Sequence, residues 1–108
     1  MINARIDVFL ADAGSRPQGE LVDDAVGRAN AYLAAGADCV YPILLHDERA
    51  IASFIAAVEG PVNILALPGA PSPARMAELH VARISYGSLI HTRAMLDLER
   101  LLADIASA

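Results

Sequence analysis

Met1-Ile2-Asn3-Ala4-Arg5-Ile6-Asp7-Val8 alternates in character at every step. Side chains of a β-strand point to opposite faces in turn, so Ile2, Ala4, Ile6 and Val8 share one face and Asn3, Arg5 and Asp7 the other. Three polar or charged groups on one face of an apolar strand are costly to bury without partners. Such a strand lines a polar pocket or lies at an exposed edge. The pattern predicts a first strand over Ile2–Leu10.

The same alternation of strand and helix then recurs. Ala11–Gly19 reads as a loop. Val22, Ala25, Val26, Ala29, Tyr32 and Leu33 follow helical spacing and predict a helix over Glu20–Ala35, closed by Gly36. A second strand is expected over Asp38–Leu44. Asp47 caps a second helix with the stripe Ile51, Phe54, Ile55, Val58, which Gly60-Pro61 stops. Val62–Leu67 reads as a third strand. Ser72-Pro73 is an N-cap with proline at the first helical position, opening a short helix to Leu79. Val81–Tyr86 is the fourth strand, and Gly87-Ser88 opens a last helix carrying Ala94, Leu98, Leu101, Leu102 and Ile105.

Four βα units imply an α/β fold with parallel strands and right-handed crossovers. Half of an eight-stranded TIM (β/α)8 barrel and a small open parallel sheet both satisfy this. Central strands of an open sheet are apolar on both faces, whereas a barrel interior is polar near its mouth. Asn3, Arg5 and Asp7, then Asn63, then Arg83 and Ser85 give three of four strands a polar face, which favours the barrel.

The 108 residues allow one domain, here a single partial one over 1–108, and are 56% hydrophobic but only 19% charged. That is more apolar than an ordinary free-standing domain. The excess implies surface covered by another part of the fold or a partner chain. Net charge is −5 with dispersed acids, which argues against nucleic acid, whose phosphates need clustered Lys and Arg. No apolar run is long enough to span a membrane and no signal peptide is evident; with one cysteine and so no intrachain disulfide, a cytoplasmic, reducing location is expected. Cys39 is the single cysteine and reads as a buried, inert residue. His46, His80 and His91 lack metal-site spacing.

Arg5 is the leading site candidate, because a guanidinium fixed on a strand grips a carboxylate or phosphate with two parallel hydrogen bonds. Asp7 would orient it; an Arg–Asp pair on an exposed edge is the alternative. Asn63 could donate to a substrate oxygen or serve the backbone. Ser85 ends a strand just before a helix whose free N–H groups attract anions.

Several of these stretches resemble the isocitrate lyase/phosphoenolpyruvate mutase superfamily. Ile2-Asn3-Ala4-Arg5-Ile6-Asp7 is similar to its Asn-Ala-Arg-Thr-Asp strand, with Ile6 where threonine is usual. Residues 28–40 resemble its helix and sixth strand, Gly60–Ala66 its seventh strand, Pro68–Ser72 the following turn, and Val81–Ser88 its eighth strand. The resemblance, closest to the phosphoenolpyruvate phosphomutase-like branch, implies strands five to eight of a barrel. It implies an oligomeric enzyme, often with its last helix exchanged between subunits. It further implies Mg2+ and small α-keto, carboxylate or phosphonate substrates whose C–C or P–C bonds are broken or rearranged. Arg5 matches the substrate-contacting arginine; Asn63 and Ser85 match pocket positions. Tyr41-Pro42-Ile43-Leu44 lacks the glutamate of classical lyases. The family's metal carboxylates and mobile catalytic loop lie on strands one to four. The expectation is therefore a substrate-binding chain with no catalytic or metal-binding residue of its own and no turnover alone. It would self-associate or join a companion chain supplying strands one to four; a non-catalytic α/β binding or oligomerisation module is the alternative.

Overall fold

The computed structural model describes residues 1–12 and 14–108; Ala13, in the predicted loop Ala11–Gly19, lies outside the described residues. Four strands, β1 (Asn3–Ile6), β2 (Cys39–Pro42), β3 (Asn63–Leu65) and β4 (Arg83–Ser85), alternate with helices. The helices are α1 (Val8–Ala11), α2 (Gln18–Ala34), α3 (Glu48–Ala57), α4 (Pro73–Glu78) and α5 (Leu89–Ser107).

β1 pairs with β2 and β3 with β4, both parallel. A bridge between Val40 and Val62 joins the two pairs, held by the Val40 N–H donating to the Pro61 carbonyl at 3.0 Å. The strand order is thus 1-2-3-4, the order of the chain. A doubly wound sheet reverses its order at a switch point; this one does not, and it forms an arc of the kind found in a barrel.

Each strand is shorter than the sequence pattern suggests, and the first differs most. The alternation breaks at Val8 and Phe9, two consecutive residues that are both buried. Consecutive burial needs a helical turn, so the chain curls into α1, with the Leu10 and Ala11 N–H groups donating to the Asp7 carbonyl at 3.1 and 2.8 Å. Asp7 therefore sits just past β1. Ile2 is 60% exposed rather than packed with Ile6. In β2, Ile43 N–H turns back to the Tyr41 carbonyl at 2.9 Å and Leu44 adopts φ 69°, which ends the strand at Pro42.

Helix boundaries follow local chemistry more closely. Asp47 accepts from Ala50 N–H at 2.9 Å and Ser72 from Arg75 N–H at 3.2 Å, each satisfying an orphan donor of a first turn. Gly36, at φ 109°, closes α2 with paired bonds from its own N–H to Leu33 and from Ala37 N–H to Tyr32, each 3.0 Å. Arg16 and Arg28 both hold Asp24 at 3.1 Å on the first half of α2. The Arg16 hydrogen bond is the larger cause that holds the Asp24 carboxyl below its ordinary value.

The core lies between α2, α3 and one sheet face. Ile6, Val40, Val62 and Ile64 meet Ala25, Ala29, Ile51 and Phe54 there, all essentially inaccessible. α5 takes no part. None of its residues is buried, and its predicted stripe is bare, with Leu101 and Leu102 each 56% and Ile105 63% exposed. The radius of gyration is 16.8 Å, against about 13 Å for a compact chain of this size, because the helix projects from the body.

Two glycines separate backbone need from backbone freedom. Gly36→Ala places a Cβ at φ 109° and should lower stability by about 1 kcal/mol. Gly27→Ala, mid-helix with open space around its Cβ position, should raise it by about 0.5–1 kcal/mol. Thermal melts of both variants check this; an unchanged midpoint for Gly36→Ala would contradict closure of α2 by Gly36.

Candidate functional site

Paired residues of parallel strands project to the same side, so the registers define the face opposite the core. Asn3 aligns with Cys39, Arg5 with Tyr41, Asn63 with Arg83 and Leu65 with Ser85. The Val40–Val62 bridge carries the alignment across the middle of the sheet, placing Tyr41 and Asn63 on the same side as Arg5. Arg5, Tyr41, Asn63 and Arg83 thus occupy one rung across four strands. The shared polar face expected from the sequence exists, and it includes two residues, Tyr41 and Arg83, that were not site candidates. Strict alternation through Cys39-Val40-Tyr41 would have placed Tyr41 inward once Val40 was assigned to the core.

Two linked pairs organise the face. At its β1 end, Arg5 Nη2 donates to Asp7 Oδ2 at 3.0 Å, and Arg5 Nε lies 2.7 Å from Asp7 Oδ1 without hydrogen-bond alignment. Both side chains remain about half exposed. Asp7 uses the side edge of the guanidinium, which leaves its end-on N–H groups for an incoming oxyanion. At the other end, Asn63 is wholly buried. Its Nδ2 donates to Ser85 Oγ at 2.9 Å, and Ser85 Oγ lies 3.2 Å from Asn63 Oδ1 as donor in return. The four residues expected at the site therefore form two couples on one face, and no hydrogen bond joins one couple to the other.

Around them, Asn3 Oδ1 is buried without a partner among the described residues. Cys39 is buried, and that burial pushes its thiol up, against the opposing field of Arg83; this agrees with an inert residue. Burial also pushes the Tyr41 phenol up, opposed by the charge of Arg5. Arg83 is exposed and has no carboxylate partner among the described residues. Ser88 makes no side-chain cap at the start of α5, whereas Ser72 fills the start of α4.

His46 is exposed, with Nδ1 2.9 Å from the Leu44 carbonyl. It borders a cleft of about 230 Å3 shared with Phe9, Arg16 and Leu44. A groove of about 330 Å3 lies between the first turns of α2 and α3. Neither contains Arg5, Asn63 or Ser85. Among the described residues no three His, Cys, Asp or Glu side chains come together as a metal site. Asp7, the carboxylate beside the face, is taken by Arg5. The residues present do not fit Mg2+.

The profile of the phosphoenolpyruvate phosphomutase family matches residues 1–106. The chain belongs to that family. Among solved structures it is similar to a protein of Burkholderia cenocepacia J2315 provisionally assigned as a phosphonomutase. That pair shows 38% identity and a TM-score of 0.88, over 96% of this chain and 42% of that one. A second protein of the same organism, provisionally assigned as a lyase/mutase, gives 31% identity and a TM-score of 0.80, over 96% of this chain and 36% of that one. An uncharacterized protein of Mycobacterium tuberculosis, Rv1998c in strain H37Rv, is 35% identical over 88 residues, covering 82% of this chain and 32% of that protein. The chain spans about a third of that curated relative and about two-fifths of the solved phosphonomutase-like chain. Its fold is that of part of a phosphomutase-family barrel. Among the described residues no helix is long and apolar enough to cross a membrane.

The Asn63–Ser85 couple has a measurable signature. Asn63→Ala should cost about 2 kcal/mol, from the void and the stranded hydroxyl. In a double-mutant cycle with Ser85→Ala, urea melts should give a coupling of about 1 kcal/mol. Additive losses would dismiss the pair as an organising contact.

Proposed function

We propose that this chain forms the anion-binding wall of a phosphomutase- or lyase-type pocket. The ligand class is a small α-keto acid, carboxylate or phosphonate, in an enzyme that cleaves or rearranges a C–C or P–C bond. The observation that carries this reading is Arg5, held by Asp7 with its end-on N–H groups free, on the same face as Asn63 and Ser85. Family membership and the assignments of the structural neighbours support it.

In this reading Arg5 grips the anionic end of the ligand and Asp7 fixes the guanidinium. Ser85, partly exposed, offers a neutral hydrogen bond further across the face, its hydroxyl set by the buried Asn63. Stabilising an enolate requires a Lewis acid or an equivalent positive group, and the residues here supply only the grip. The chain alone therefore binds without turning substrate over; lyase or phosphonate-forming activity in the purified 108-residue protein would overturn that part.

Calorimetric titration with malonate and with phosphonoacetate tests the grip. Arg5→Met should weaken both by about tenfold or more, the value of hydrogen bonds to a charged group. Equal binding by wild type and Arg5→Met would sink the assignment.

The bare stripe of α5 favours a further element of this reading: the chain functions in an assembly, with a second copy or with strands of another chain. Unpaired outer edges of β1 and β4 point the same way, because open strand edges seek partners. Sedimentation at micromolar concentration should show association, and Leu101→Glu with Ile105→Glu should reduce it. A single sharp monomer boundary for the wild type counts against assembly through α5.

A further inference from the structure

We propose that Tyr41 is a substrate-positioning residue of this site, its phenol O–H donating to the same oxyanion that Arg5 grips. The anion would then be clamped across the β1–β2 seam by a guanidinium from one strand and a hydroxyl from the next. The inference rests on the reading of Arg5 as the ligand's anchor and adds a contact that reading does not need.

The register makes the juxtaposition. Arg5 and Tyr41 are direct partners across β1 and β2, so their side chains leave the same face of strands about 4.8 Å apart. Two long side chains at that spacing reach a common point above the sheet. The phenol is within electrostatic reach of the guanidinium, since the charge of Arg5 opposes the upward push of burial on Tyr41. The ring is half-buried, so its direction is set by packing. Its hydroxyl has no hydrogen-bond partner among the described residues and is not sealed from solvent.

Its neighbours on the rung have less to give. Asn63 is committed to Ser85, and the side edge of Arg5 to Asp7. Tyr41 is the residue beside Arg5 whose donor is both oriented and unspent. Its hydroxyl is open to solvent and without a protein partner, so a ligand oxygen can take the place of water there. The chemistry suits either a carboxylate or a phosphonate oxygen. Neutral O–H donation beside a guanidinium also adds direction to what would otherwise be an attraction between charges.

Tyr41→Phe removes the hydroxyl and keeps the ring, so packing is preserved. Malonate and phosphonoacetate titrations are compared for wild type, Tyr41→Phe, Arg5→Met and the double variant, with thermal melts of each. Tyr41→Phe should bind both probes about tenfold more weakly, with an unchanged melting midpoint. The double variant should be no weaker than Arg5→Met, because the phenol acts on an anion that Arg5 positions. Wild-type affinity in Tyr41→Phe overturns the inference while leaving Arg5 intact. Wild-type affinity in Arg5→Met, or no binding by the wild type, overturns both readings. Independently of any ligand, ultraviolet titration in a Tyr32→Phe/Tyr86→Phe background reads Tyr41 alone. Its phenol should titrate higher once Arg5 is methionine; no movement would show that the two side chains do not meet.

Discussion

Parallel register between short strands is the constraint from which the rest of this structure follows. β1 and β2 contribute four residues each and β3 and β4 three each, and a single bridge at Val40–Val62 joins the pairs. A slip of one residue in any strand would turn its side chains to the opposite face. Arg5 or Asn63 would then enter the layer occupied by Phe54 and Ile51, and Val40 or Ile64 would face outward. The apolar residues hold register through burial, and the polar face is aligned as a result.

The two faces therefore do different work with the same backbone. Behind the sheet, small residues on α2, Ala25 and Ala29, let the helix approach β1 and β2 closely, and α3 adds Ile51 and Phe54 to the same core. On the other side the residues are polar but not interchangeable. Asn63 is buried deeply enough that it must be paired, and Ser85 pairs it. Arg5 and Asp7 remain half in solvent, where a bound ion could still compete for the guanidinium. Asn63 is structural in character and the exposed couple available, although residue type alone made them look alike.

What was legible in the sequence and what was not divides along the range of the interactions. Asp47, Ser72 and Gly36 act on backbone groups within a few residues, so the helix limits they set were readable from local chemistry. Strand length depends on pairing with distant segments. Ile2–Leu10 looked like one strand because Val8 continues the alternation, yet Val8 and Phe9 are buried together and the chain curls at Asp7. Arg5, Asp7, Asn63 and Ser85 were readable as polar residues on strands, and the family motif reinforced them. Their division into two couples was not, because it depends on the β3–β4 register and on where β1 ends. The place of Tyr41 beside Arg5 is hidden in the sequence for the same reason, since the two lie thirty-six residues apart in the chain.

The proposed anion site lies in a chain that is acidic overall. The net charge is −5, but the rung itself carries Arg5 and Arg83, with Asp7 at one flank and Asp38 beside Cys39. Local fields are set by nearby groups, with distant surface charge screened within about 10 Å at ordinary ionic strength. Asp7 does not cancel Arg5 as a ligand site. It holds one edge of the guanidinium and so removes the freedom a binding arginine would otherwise lose. Arg83, exposed on the same rung, acts on Cys39 against the opposing charge of Asp38 and makes no ion pair among the described residues. In the proposed reading an oxyanion would meet an oriented donor at Arg5, whereas Arg16, ringed by Asp12, Glu20 and Asp24, offers it no comparable place.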